Sequence, residues 1–98
     1  MFGLIGSFKA ASGQRGELVA ILLENVAVMP GCLSYVVAED PADSETIWVT
    51  EVWDSQASHQ ASLALASVRS AIARAKPLIA GFGEHRVTRP VGGHGLAA

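Results

Sequence analysis

The stretch "TIWVTEVWDSQASHQASLA", residues 46–64, sets an apolar, strand-like run directly before a polar, alanine-rich segment that carries one histidine. In its first half, alternation sends Ile47, Val49, Glu51 and Trp53 to one side and Trp48, Thr50 and Val52 to the other. Both sides carry large apolar side chains, so neither face is made for water. Asp54 or Ser55 then stands as a helix cap. The helical region runs from about Gln56 to Lys76, with a break or bend expected near Ala66 and Ser67, and Pro77 marks its end. Leu65, Val68, Ile72 and Ala75 give its second half a stripe to bury.

Upstream, "DPADSE" (40–45) carries turn chemistry, and "CLSYVVAE" (32–39) is rich in β-branched and aromatic residues. The two extended runs therefore form an antiparallel hairpin. Before them, Leu18, Ile21, Leu22 and Val26 recur at helical spacing, with Ser12 as a cap and "MPG" (29–31) as the stop. Residues 2–9 alternate as a first strand: Phe2, Leu4, Gly6 and Phe8 share one side, and Ile5, Ser7 and Lys9 the other. "FGEHRVTR" (82–89) reads as a fourth strand.

The resulting order, β-α-β-β-α-β, predicts an α+β, ferredoxin-like split βαβ domain, with both helices on one face of a four-stranded antiparallel sheet. Residues 1–90 are expected to form this domain and residues 91–98 a Gly-rich flexible tail. The uncovered sheet face, apolar on its third strand, predicts a homodimer.

Composition narrows the function classes. Ninety-eight residues suit one domain, half of them apolar and only 16% charged, which is too hydrophobic for disorder and thin in polar cover. The net charge of −2 and seven scattered Lys and Arg give no footprint for a phosphate backbone, so nucleic acid is not an expected partner. Leu18 to Met29 is interrupted by Glu24 and Asn25 and falls short of the roughly 20 residues a spanning helix needs. "MFGLIGSFK" has no basic run before its apolar residues and reads as strand, so the expected location is cytoplasmic, with no membrane partner. Cys32, the single cysteine, has no second thiolate for a disulfide and no zinc-ligand spacing, and is expected to pack. His85 and His94 form no i, i+4 pair with His59, so no metal site is expected.

Three segments, "MPGCLSYVVAED" (29–40), "TEVWDSQASHQAS" (50–62) and "RPVGGHGL" (89–96), resemble the antibiotic biosynthesis monooxygenase family, and the resemblance covers nearly the whole chain. It implies a dimeric αβ barrel. It also implies a monooxygenase that oxidises a small phenol, quinol or anthrone with O2 and needs no cofactor, neither metal nor flavin. Such chemistry requires an apolar pocket, a group to take or hold the phenolic proton, and a surface for the ring.

Glu51, Trp53 and His59 match the family's Glu-x-Trp followed six residues later by a His. On that reading His59 is the catalytic base, imidazole being the side chain suited to proton transfer at neutral pH, and Trp53 is the platform for the substrate ring. The alternatives are a surface His59 bonding a carbonyl and a Trp53 that is plain core. Tyr35 and Arg86 are further substrate-binding candidates if they face the helices; otherwise Tyr35 belongs to the dimer face and Arg86 to a strand edge. Glu51 either holds the histidine tautomer or pairs with Arg86 across the sheet. A second function class stays open, a non-catalytic ligand-binding or stress-associated dimer that keeps the cavity without turnover. Haem binding ranks last, because Leu, Ala or Val stands where a helical axial histidine would be sought.

Overall fold

The computed structural model describes residues 1–25 and 29–96. Its strands are β1 (Phe2–Ala10), β2 (Cys32–Glu39), β3 (Thr46–Trp53) and β4 (Ile79–Thr88). Its helices are α1 (Arg15–Leu23), α2 (Gln56–Ser62) and α3 (Ala66–Ala75), with a short 3-10 turn at Lys76–Leu78 that carries Pro77. The strands form one antiparallel sheet in the order β2-β3-β1-β4. This is the ferredoxin-like α+β fold that the element order predicts.

Register fixes which side chains share a face. Phe2, Leu4, Gly6 and Phe8 of β1 lie opposite Trp53, Glu51, Val49 and Ile47 of β3, and Tyr35 and Val37 of β2 pair with Glu51 and Val49. Because side chains alternate, all of these project to one face. That face meets the helices: Leu18 and Ile21 of α1 and Ala75 of α3 join Ile47, Val49 and Ala10 in the core. Leu18 and Ile47 are wholly removed from solvent, each worth roughly 1.5–3 kcal/mol of hydrophobic stabilisation. The helices lie over β1, β2 and β3. On β4 every residue from Glu84 to Thr88 is exposed.

Local chemistry places the helices where sequence reasoning did only in part. Ser55 caps α2, its hydroxyl accepting from the Ser58 amide at 3.1 Å. The helical break falls at residues 63–65, slightly ahead of the expected Ala66 and Ser67. Ser12 does not cap α1: that helix begins at Arg15 after Gln14, which makes no side-chain cap bond. Val26, expected in the same helix, lies outside the described residues. Of the stripe expected on α3, Val68 and Ala75 are buried and Ile72 remains 44% exposed.

The hairpin between β2 and β3 is held by polar contacts. Asp40 accepts from the amides of Ala42 and Asp43, at 2.8 and 3.2 Å, and from the Trp48 indole at 2.9 Å. Arg15, at the start of α1, donates to the carbonyls of Asp40, Asp43 and Thr46. The sheet face turned away from the helices carries Val36, 52% exposed, beside half-buried Ile5, Trp48 and Val52. After Thr88 the chain runs on to residue 96 without further strand or helix.

Candidate active site

Between α1, α2 and the sheet lies a cavity of about 310 Å3. Its floor is β1, where Gly6 places no side chain between Leu4 and Phe8. Leu22 of α1 and Val49 of β3 add apolar walls, and Phe82, 83% exposed, forms a rim. His59, Glu51, Tyr35 and His85 line the cavity, as do Ser7 and Glu84, although Ser7 Oγ accepts from the Glu84 amide at 2.8 Å and the Glu84 carboxylate pairs with Arg86.

His59 is carried by α2, and the position of that helix is set at the end of β3. The Asp54 amide donates to the Gly31 carbonyl at 2.9 Å, tying the start of the α2 segment to the turn before β2. Gly31 has φ +84°, and a Cβ there would stand 2.6 Å from the Ser58 side chain and 2.8 Å from the Asp54 carboxylate. A glycine is therefore required twice over, for its backbone angle and for the close approach of α2. The His59 ring packs at 5.6 Å from Phe2 and edge-on to Trp53 at 5.3 Å. Among the described residues its hydrogen bonds are main-chain ones, the amide to Ser55 and the carbonyl accepting from Ser62 Oγ at 2.6 Å. Packing thus orients the imidazole, and among the described residues neither ring nitrogen has a hydrogen-bond partner.

Trp53 is 1% exposed and does not reach the cavity wall; it lies behind the His59 ring. Its indole Nε1 donates to Glu51 Oε1 at 3.0 Å. Glu51 accordingly takes neither partner that the sequence suggested. It contacts the indole, while Arg86 pairs with Glu84 at 3.1 Å. Arg86 lies opposite Ile5, on the sheet face away from the helices, with its side chain 71% exposed. It therefore stands apart from the cavity, as the strand-edge alternative has it.

Tyr35 faces the helices and lines the cavity. Burial pushes its phenol well above the ordinary tyrosine range, with the neighbouring Glu51 charge and Cys32 adding to the effect. At neutral pH it is an O–H donor and no base. Cys32 is partly buried, with Sγ 3.6 Å from the Ser34 carbonyl, and burial raises its thiol above the usual range. That favours packing over thiolate chemistry. Tyr35 and Leu22 also border a second, apolar cavity of about 90 Å3 between α1 and α3.

His85, which the sequence analysis weighed only as a metal ligand, also lines the cavity. The register is regular from Gly3 opposite Thr88 to Gly6 opposite His85, then shifts so that Phe8 faces Phe82. The bulge puts Phe82 and His85, an odd number of residues apart, on the same face. No group of three or more His, Cys, Asp or Glu among the described residues is arranged to hold a metal ion. None of the described helices is long and apolar enough to cross a membrane.

Comparison with known proteins adds to this geometry. The sequence profile of the family described as antibiotic biosynthesis monooxygenase matches residues 1–74. A candidate antibiotic biosynthesis monooxygenase from Chloroflexus aurantiacus J-10-fl is 60% identical, with 98% of each chain covered and a TM-score of 0.95. Another from Deinococcus radiodurans is 26% identical over 100% of this chain and 98% of that one, with a TM-score of 0.72. SnoaB of Streptomyces nogalater, described as a cofactor-independent oxygenase and solved as a point mutant, shares the fold at 14% identity, covering 95% of each chain with a TM-score of 0.77. No curated protein matches the sequence. With a profile match over most of its length and a 60% identical relative covered almost end to end, the chain belongs to the antibiotic biosynthesis monooxygenase family.

Proposed function

We propose that this protein is a cytoplasmic, homodimeric, cofactor-independent monooxygenase that oxidises a small quinol-, polyphenol- or anthrone-like aromatic with O2. The observation that carries the reading is the cavity itself: an apolar trough of about 310 Å3 with an imidazole at its wall. That volume lies at the small end of ligand pockets and suits a compact aromatic. Family membership and the description of SnoaB as a cofactor-independent oxygenase support the reaction class.

In this mechanism His59 removes the phenolic proton, and the anion passes one electron to O2. Radical and superoxide recombine at a ring carbon; one oxygen atom stays as a new carbonyl or hydroxyl, and the other leaves as water with two substrate hydrogens. Tyr35, held neutral, donates a hydrogen bond to the developing oxyanion. Trp53 acts through packing, fixing the His59 ring and the Glu51 carboxylate. The apolar face with Val36, Ile5 and Val52 supplies the dimer contact.

Oxygen uptake by metal-free protein with a panel of quinols and anthrones tests the reaction. His59→Ala is expected to lose at least about 100-fold in kcat while staying folded; equal uptake by the variant removes His59 from the chemistry. Sedimentation as a monomer at micromolar concentration would sink the dimer.

One observation favours the second reading, a ligand-binding dimer without turnover. Glu51 is bonded to Trp53, and among the described residues no carboxylate bonds the His59 ring to orient it as a base. Aromatic ligands that raise the Tm without product formation would support it.

A further inference from the structure

His85 is given no task by the mechanism above, yet it lines the same cavity as His59, Glu51 and Tyr35. Its place across the sheet gives it one. Glu51 lies on β3 and His85 on β4, with β1 between them. Neighbouring strands lie about 4.8 Å apart, so the two residues rise from strands separated by roughly 10 Å. The β1 residues in that gap are Leu4 and Gly6. At Gly6 the floor is bare backbone, and a Cβ would meet only the Glu84 carbonyl, at 3.6 Å.

The cavity is thus an apolar trough with polar groups at both ends. Glu51 and Tyr35, with His59 above them on α2, form one end, and the His85 imidazole forms the other. A flat aromatic that carries oxygen at one end only satisfies the first group and sets bare ring carbon against His85. One that carries oxygen at both ends satisfies both. Neutral imidazole offers a donor on one nitrogen and an acceptor on the other, so it can meet either a hydroxyl or a carbonyl.

The geometry points to His85 as the residue that reads a second substrate oxygen, making the cavity selective for aromatics oxygenated at opposite ends over their mono-oxygenated analogues. This rests on the proposed aromatic occupant of the cavity, and not on whether that occupant is oxidised.

The test is equilibrium binding, measured without oxygen by quenching of tryptophan fluorescence, of 2-naphthol and 2,6-dihydroxynaphthalene. Wild type, His85→Leu and His85→Gln are compared. His85 is exposed on an edge strand, so neither substitution opens a buried hole. Wild type is expected to bind the diol about tenfold more tightly than the mono-ol, the scale of one hydrogen bond. His85→Leu should erase that preference while leaving mono-ol affinity within about twofold, and His85→Gln should keep part of it. The assignment is overturned if wild type shows no preference, if the preference survives in His85→Leu, or if neither compound binds. Oxygen uptake by the same proteins separates the two ideas: selectivity without uptake removes the oxygenase and keeps the role of His85, and uptake without selectivity does the reverse.

Discussion

The indole nitrogen of Trp53 donates to the Glu51 carboxylate at 3.0 Å, two residues away on the same strand face. This bond joins a fully buried ring to a half-buried acid at the edge of the cavity. Trp53→Phe removes the donor and leaves a void against His59. A loss of roughly 2–4 kcal/mol in urea unfolding is expected. Glu51→Gln keeps an acceptor of the same shape and should cost less than about 1 kcal/mol. A larger loss for Glu51→Gln than for Trp53→Phe would show that the carboxylate has a partner other than the indole.

Tyr35 is the single tyrosine, so its titration can be followed directly by phenolate absorbance. Burial, reinforced by the Glu51 charge, raises its pKa above the ordinary value near 10. The folded state therefore prefers the neutral phenol. The stability this contributes is complete below about pH 10 and is lost as pH rises toward the folded-state value. Tyr35→Phe should flatten the alkaline fall in stability. Glu51→Gln should lower the titration midpoint only in part, because burial is the larger cause.

Gly31 links the turn before β2 to the helix that carries His59. Gly31→Ala forces a Cβ against Ser58 and Asp54 at a backbone angle that L-residues avoid, and is expected to cost roughly 1–3 kcal/mol. Because the collision is with α2, ligand affinity should fall as well. Lost stability with unchanged affinity would show that α2 does not move with the turn.

The β2–β3 hairpin should respond to acid. The Glu45 amide, the Thr46 side chain and the Lys9 ammonium hold the Asp43 carboxyl down to about 2. A depressed acid contributes stability above the ordinary carboxylate value near 4, and that contribution fades as pH falls from about 4 toward 2. Asp43→Asn should remove this slope in acid unfolding followed by circular dichroism, with little change in slope at neutral pH.

The fold was legible because its signals are local and agree. Alternation in β1 and β3, turn residues at 40–45 and Ser55 before α2 each specify one element. The faces of the candidate site residues were legible only where alternation runs unbroken. Glu51, Trp53 and Tyr35 project to the helix face, as period-two reading allows. On β4, "GFGEHRVT" has two glycines and no apolar rhythm, and a bulge between the Gly6 and Phe8 pairs resets its phase. A one-residue slip exchanges the faces of a strand. Sequence alone therefore admits Arg86 to the cavity and passes over His85, its neighbour. Trp53 departs from expectation in another way: its face is the expected one, but only the tertiary path of α2 shows that His59 covers it.

The sheet order β2-β3-β1-β4 divides labour between strands. Wholly buried Ile47 and Ala10 sit on β3 and β1 beneath the helices, whereas the cavity side chains of β4, Phe82 and His85, are exposed. On the proposed reading, exchanging those outer side chains would alter what the trough accepts while the buried interior keeps its packing. A chain built this way would be retuned for a new ligand along one border strand with little risk of unfolding.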